Sequence, residues 1–298
     1  MSGTYIIQNL LDGISLGSIY ALVAIGFSMT YGILRLINFS HGDILMIGAY
    51  CAVFVMAASQ LPLWLGLLAA MLFAALIGMM VERVAFRPLR GANEEAMLLT
   101  SLAVSIFIEN LGIMTVSAQP RKFETTQALS FMHDLGGITV SNMTLMIFFL
   151  AVFLMLLLTL FVTRTRLGIA MRACSENLVA ARLMGIDINK VVASAFAIGS
   201  GMAAVAGVML GAQYGRIDPL MGFVPGLKAF VAAVIGGIGS IPGAALGGYI
   251  LGLSEILLVA LLPPMYSGYR DAFVFFILII VLLIRPAGLL GVLEGRKV

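Results

Sequence analysis

Three groups of residues in this chain of 298 residues have types and spacings that can act on a solute. The first lies between Ile37 and Asp43, where Asn38, Ser40, His41, Gly42 and Asp43 interrupt two apolar runs. Such a break frees backbone N–H and C=O groups that need partners in the protein or in a water-lined cavity. It also can aim a helix N-terminus, with its partial positive charge, at a ligand or another chain. An ordinary turn with Asp43 as a cap would give the same pattern, so a structural role for the break is expected ahead of direct solute contact. The second group is Gly236, Gly237, Ile238, Gly239, Ser240, Ile241, Pro242 and Gly243, again between two apolar segments. Paired interruptions of this kind in two halves of a chain point to an inverted repeat. The third group is polar residues inside apolar runs: Glu109 and Asn110 in one, Glu255 in another. An isolated charge there is expensive, and such residues face a bundle interior or a cavity.

The chemistry absent from this inventory is as informative. His41 and His133 are the only histidines, and no H-E-x-x-H helix, serine nucleophile elbow or short paired-carboxylate motif occurs. No catalytic residue and no metal site is therefore assigned. No G-x-x-x-x-G-K-[ST] phosphate loop is present either, so nucleotide chemistry would belong to another chain. Cys51 falls in an apolar run and Cys174 in a basic loop, which makes a disulfide between them unfavourable and leaves two small unpaired side chains.

The elements that hold these residues follow from composition. Hydrophobic residues make up 61% of the chain and charged residues 10%, with a mean hydropathy of +1.11. A soluble domain carries about a quarter charged residues. Here the bilayer must be the solvent, and the net charge of +3 is too small to imply nucleic acid. Apolar runs long enough for helices cover about 5–33, 43–58, 63–84, 95–116, 143–162, 191–214, 225–238, 244–262 and 271–284. The second and seventh are short and glycine-bounded, as broken or re-entrant helices would be. The expectation is one all-α membrane domain over 1–298, a polytopic helical bundle of eight to ten spans. The long runs lack the alternation of a barrel. The N-terminal run has no basic leader region and no cleavage site, and is read as the first span.

Basic residues set the orientation. Arg35, Arg83, Arg87, Arg90, Arg164, Arg166, Arg172, Arg182, Lys190, Arg285, Arg296 and Lys297 fall on one side, which is then cytoplasmic. The N-terminus lies outside and the C-terminus inside. The stretch 120–141 becomes the largest outer loop. The longest inner loop, 164–190, carries a short helix expected over 176–184, with Ser175 as its cap and Gly185 as its stop.

With these residues in view, the chain resembles the permeases of bacterial branched-chain amino acid ATP-binding-cassette importers. The resemblance rests on INFSHGD followed by ILMIGAY, from Ile37 to Tyr50, and on GGIGSIPGA, from Gly236 to Ala244. Ala180, Ala181, Arg182 and Gly185 resemble the loop pattern E-A-A-x-x-x-G, with Val179 in place of its Glu. The likeness runs from Tyr20 to Gly291.

The resemblance implies a multi-pass inner-membrane subunit that pairs with a second, non-identical permease and encloses a pathway with it. Two cytoplasmic ATPases carrying ATP and Mg would dock on the inner loops, and a periplasmic or lipid-anchored binding protein would deliver the small-molecule substrate. No cofactor is expected in this chain itself. The helix at 176–184, with Glu176, Ala180, Ala181, Arg182 and Gly185, would be the ATPase-coupling element. Asn38, Ser40, His41, Asp43, Glu109, Asn110, Gly236, Gly237, Gly239 and Ser240 would be the pathway or broken-helix residues. Aliphatic amino acids are the leading substrates, with urea or a short amide as the family alternative. An ion-coupled secondary transporter is the alternative from another class.

Overall fold

The computed structural model describes residues 3–59, 62–124, 127–134 and 136–291. Arg296 and Lys297, placed inside by the charge argument, lie outside the described residues. The chain is built from helices α1 (Gly3–Leu34), α2 (Ser40–Ser59), α3 (Leu63–Val81) and α4 (Glu94–Thr115). A π-helical turn over Glu82–Phe86 and a 3-10 turn over Arg87–Leu89 continue α3. The first strand β1 (Arg121–Lys122) precedes α5 (Gln127–Ser130), then come β2 (Met132–Asp134), β3 (Thr139–Ser141) and α6 (Asn142–Arg164). The remainder is α7 (Arg166–Glu176), α8 (Leu178–Leu183), α9 (Ile188–Tyr214), β4 (Arg216–Ile217), α10 (Phe223–Gly236), α11 (Ile241–Leu261) and α12 (Arg270–Ile284).

Among the described residues, seven helices are long and apolar enough to cross a membrane: α1, α2, α3 with its extension, α4, α6, α9 and α11. The architecture is that of an all-α, multi-pass membrane protein. At 14 and 15 residues, α10 and α12 are shorter than the roughly 20 residues a full span requires. The segment between α4 and α6 holds more order than its sequence suggests. There β2 pairs with β3, and β1 pairs with β4 through Arg121 opposite Ile217, tying this segment to the approach to α10.

The core lies along α1, α9 and α11. Hydrophobicity does not drive helices together in lipid, so close packing through small residues does. Helices α1 and α11 run antiparallel, with Gly17 against Gly252, Ala21 against Gly248 and Gly13 against Leu253. A Cβ on Gly17 would come within 2.9 Å of the Tyr249 backbone. In α9, Gly199 meets the Gly26 carbonyl and Gly207 meets the Leu45 carbonyl. The outer helices present the opposite character. Large apolar side chains such as Phe107, Phe149, Phe153 and Leu160 point away from the protein, as they must where lipid is the solvent.

The glycine-rich motifs are themselves helix starts. Ser40, His41, Gly42 and Asp43 form the first turn of α2, so the true break is residues 35–39, where Arg35 takes a positive φ of 54°. Ser240 caps α11, accepting from Gly243 N at 3.1 Å, and Pro242 stands in the first turn, where a missing N–H goes unnoticed. Apolarity alone placed both helices three residues late because their first turns are polar or glycine.

The loop between α6 and α9 also differs from expectation. The helix expected over 176–184 with a Ser175 cap is instead two helices that meet at Asn177. Glu176 is the last residue of α7, and Ser175 Oγ donates back to Arg172 O at 2.8 Å. The cap of α8 is Asn177, in extended backbone, whose side chain accepts from Val179 N and Ala180 N at 2.9 and 3.0 Å. Asn177 satisfies two otherwise orphaned N–H groups at once, and Ser175 cannot serve because it lies inside α7. Gly185 ends the segment as expected, with φ 82°.

Candidate functional site

The expected pathway residues at the head of α2 are gathered into one buried cluster. Asn38, Ser40, His41 and Asp43 are each no more than 2% exposed. Ser40 Oγ donates to Asn38 Oδ1 at 2.6 Å. The His41 ring stands edge-on to Phe27, and its Nε2 donates to the Val23 carbonyl at 3.3 Å. That carbonyl fixes the ring proton on Nε2. From α4, the Ser105 hydroxyl lies beside the Asp43 carboxylate, and Glu109, one turn further on, is close enough to repel it. Two atoms of this cluster have no hydrogen-bond partner in the protein: Asn38 Nδ2 and Asp43 Oδ2. Asn110 does not join them. It is exposed, and its Nδ2 donates to Ile106 O in its own helix at 2.7 Å.

The head of α2 abuts the head of α10. Gly42 packs on Gly222 and Gly226 so closely that a Cβ on Gly226 would stand 2.8 Å from Gly42 Cα. At the other end of α10 lies the second motif. Gly236 and Gly243 pack backbone to backbone, Gly237 takes φ 110°, and Gly239 N donates to Ser28 Oγ at 2.8 Å. The segment after α12 closes over this break through Leu289 N to Ile235 O and Leu290 N to Gly236 O, both 2.9 Å. Gly236, Gly237, Gly239 and Ser240 are thus brought together with α1, but not with the Asp43 cluster. Helix α10 bridges the two motifs.

A second charged centre is built around Lys228 on α10. Its ammonium donates to Glu255 Oε1 on α11 at 2.7 Å, and both side chains are all but fully buried. Tyr20 OH on α1 donates to Glu255 Oε2 at 2.9 Å. Asp271 Oδ1 lies 2.8 Å from the same ammonium, too oblique for a hydrogen bond, and Arg270 Nε is 3.6 Å from Glu255. Sequence reasoning noted Glu255 but passed over Lys228, Tyr20, Arg270 and Asp271. The available signal was a lone lysine within a 14-residue apolar helix, which demands a carboxylate partner.

On the loop side, Ala181 is buried against the bundle whereas Ala180, Arg182 and Gly185 are exposed. Leu183 and Met184 are each 83% exposed and Val179 is 70% exposed, so α8 turns an apolar ridge away from its own protein. The adjoining connection is braced by a salt bridge between Arg90 and the buried Glu82, and by Arg90 Nη1 donating to Asn189 Oδ1 at 2.6 Å. Asp187 caps α9, and its carboxylate is held below the usual range, first by the Lys190 backbone N–H.

A large apolar groove runs between α2, α3 and α4. Its volume is about 670 Å³, and Met46, Ile47, Tyr50, Ile77, Ile108 and Gly112 are among its walls. Among the described residues, no group of three or more His, Cys, Asp and Glu side chains could hold a metal ion.

With this geometry in hand, comparison with known proteins is direct. Residues 9–282 match the family model described as the permease component of the branched-chain amino acid transport system. The chain is 42% identical over 303 residues to the high-affinity branched-chain amino acid transport system permease protein BraD of Pseudomonas aeruginosa, covering 98% of each chain. It is 42% identical over 306 residues to the corresponding permease protein LivH of Escherichia coli, covering 99% of this chain and 98% of that one. It is 29% identical over 306 residues to a probable branched-chain amino acid transport permease of Methanocaldococcus jannaschii, covering 98% and 92%.

Proposed function

This chain belongs to the permease family of branched-chain amino acid transport systems, and from that premise we propose that it forms one half of the membrane pathway of an ATP-driven importer of leucine, isoleucine, valine or related aliphatic amino acids in the inner membrane. The single observation that carries this reading is likeness along nearly the whole chain to permeases named for these substrates. The second permease is non-identical, two cytoplasmic ATPases bind ATP and Mg, and a binding protein outside the membrane delivers the substrate. The names of its full-length relatives favour this over the urea alternative, and the family match favours it over the ion-coupled one.

In this reading α8 is the coupling helix. An apolar ridge of Val179, Leu183 and Met184 at the tip of a basic loop is what a groove on an ATPase would cover. Asn177 and Gly185 fix its two ends, and Ala181 seats it on the membrane domain. ATP-driven closure of the ATPases would move α8, α7 and the start of α9 together. The breaks before α2 and after α10 are the paired interruptions of an inverted repeat, and α10 and α12 bring the bundle to nine membrane-embedded helices. The N-terminus lies outside and the C-terminus in the cytoplasm. The pathway residues are Asn38, Ser40, His41, Asp43 and Glu109. Deleting residues 179–185 in the complete transporter tests the coupling assignment. ATP hydrolysis that no longer responds to the loaded binding protein supports it, and an unchanged response refutes it.

A further inference from the structure

The head of α2 carries two buried polar atoms of opposite kind and no protein partner: the donor Asn38 Nδ2 and the acceptor Asp43 Oδ2. Buried polar groups in proteins are almost always paired, and each unpaired one is costly. In a low-dielectric bundle the cost is larger for a carboxylate than for an amide. Local structure accounts for only part of this centre. Asp43 stands in the first turn of α2, where the helix dipole favours a negative charge, and the Ser105 hydroxyl of α4 lies beside its carboxylate. Asn38 Oδ1 is occupied by Ser40. The remaining Nδ2 and Oδ2 are left over after every local interaction has been made.

We infer that these two groups hold the backbone of an α-amino acid zwitterion, Asp43 Oδ2 accepting from its ammonium and Asn38 Nδ2 donating to its carboxylate. The inference rests on the transport reading above and assigns the site within it. Glu109 adds a second negative charge on the ammonium side. Two carboxylates without a third ligand suit an ammonium ion better than a metal. The partial positive charge at the start of α2 adds to the carboxylate side, since half-helix N-termini favour anions. One turn beyond Asp43, Met46 and Ile47 begin the wall of the apolar groove, and Ile108 of that wall lies between Ser105 and Glu109 on α4. Polar groups at the edge of an apolar cavity of several hundred Å³ are the usual form of a site for an amphipathic small molecule. An aliphatic side chain would enter the groove while the charged backbone stays at the helix head. Contact of Gly42 with Gly222 and Gly226 closes this position, so α10 has to shift for the ligand to enter or leave.

The test uses the nucleotide-free complex of this chain with its partner subunits in lipid nanodiscs, without the binding protein. Radiolabelled leucine binding is measured by scintillation proximity, with 3-methylbutylamine and 4-methylpentanoate as competitors. The first keeps the ammonium and lacks the carboxylate; the second is the reverse. The expected result is saturable leucine binding and competition by the amine ahead of the acid, because two carboxylates face the ammonium and only an amide and helix N–H groups face the carboxylate. Asp43→Asn weakens leucine binding by about 10- to 100-fold, the usual range for a charged hydrogen bond, and Asp43→Glu recovers part of it. If Asp43→Asn does not assemble, Glu109→Gln and the competition on the unaltered complex still decide the matter. No leucine binding, an acid that competes better than the amine, or unchanged affinity in both Asp43→Asn and Glu109→Gln overturns the site. A complex that imports leucine on ATP but shows those results keeps the transport reading and loses the site. A complex that binds leucine and the amine as described but imports no leucine keeps the site and loses the reading.

Discussion

Lys228 Nζ lies 2.7 Å from Glu255 Oε1 although the two residues sit on different helices and are buried to within a few per cent. Around them Tyr20, Arg270 and Asp271 complete a network that joins α1, α10, α11 and α12. A short helix of 14 residues cannot be held across a bilayer by its length, and this network adds to the glycine contacts at both ends of α10.

Removing one member of the pair leaves the other charge buried and alone. Lys228→Met or Glu255→Gln is expected to destabilise the protein by about 3–5 kcal/mol. The double variant Lys228→Met with Glu255→Gln should be markedly less destabilised than the two single effects added together, because no uncompensated charge remains. Thermal unfolding of the detergent-solubilised protein, read as a double-mutant cycle, checks this. Additive effects would mean that the two side chains do not interact.

The crossing of α1 and α11 depends on the absence of side chains at Gly17 and Gly252. Gly252→Leu would drive a side chain into the Gly17 backbone, and loss of folded protein is expected in size-exclusion profiles. Gly3→Ala, at a position with nothing within 4 Å, should leave the profile unchanged.

The exposed ridge of α8 separates coupling from stability. Leu183→Asp and Met184→Asp touch side chains that are 83% exposed, so stability should change by no more than about 0.5 kcal/mol. Substrate-stimulated ATP hydrolysis in the assembled transporter should nonetheless fall severalfold. Asn177→Ala should loosen α8 by about 1 kcal/mol through loss of its cap, seen as faster amide exchange over residues 178–183.

Orientation is open to direct labelling. A cysteine at Met184 should react with a membrane-impermeant maleimide only from the cytoplasmic side, and one at Glu124 only from outside. The native Cys174 should stay unlabelled in both cases, since it is buried and burial raises its thiol pKa. The reverse pattern would invert the topology.

The sequence revealed most of the helices, because a run of about 20 apolar residues in so uncharged a chain has few other meanings. It also singled out Asn38, Ser40, His41, Asp43 and Glu109, which the fold unites. What it missed has physical causes. The start of α2 at Ser40 was hidden because a buried polar first turn reads as loop. The cap at Asn177 was assigned to Ser175 because both residue types cap helices and only backbone geometry chooses between them. The Lys228–Glu255 pair spans 27 residues of sequence, and although a lysine in an apolar helix demands a partner, nothing local says which carboxylate it meets. The strand pairing of Arg121 with Ile217 is of the same kind, a contact between segments too short to carry a pattern.

The central claim is ATP-driven import of aliphatic amino acids through this permease. The most direct measurement is uptake of radiolabelled leucine into liposomes containing this chain with its partner permease, ATPases and binding protein. Uptake is expected to require ATP in the ATPase-facing compartment and to disappear when the ATPases are omitted. Uptake that persists without the ATPases and follows an imposed ion gradient would contradict it.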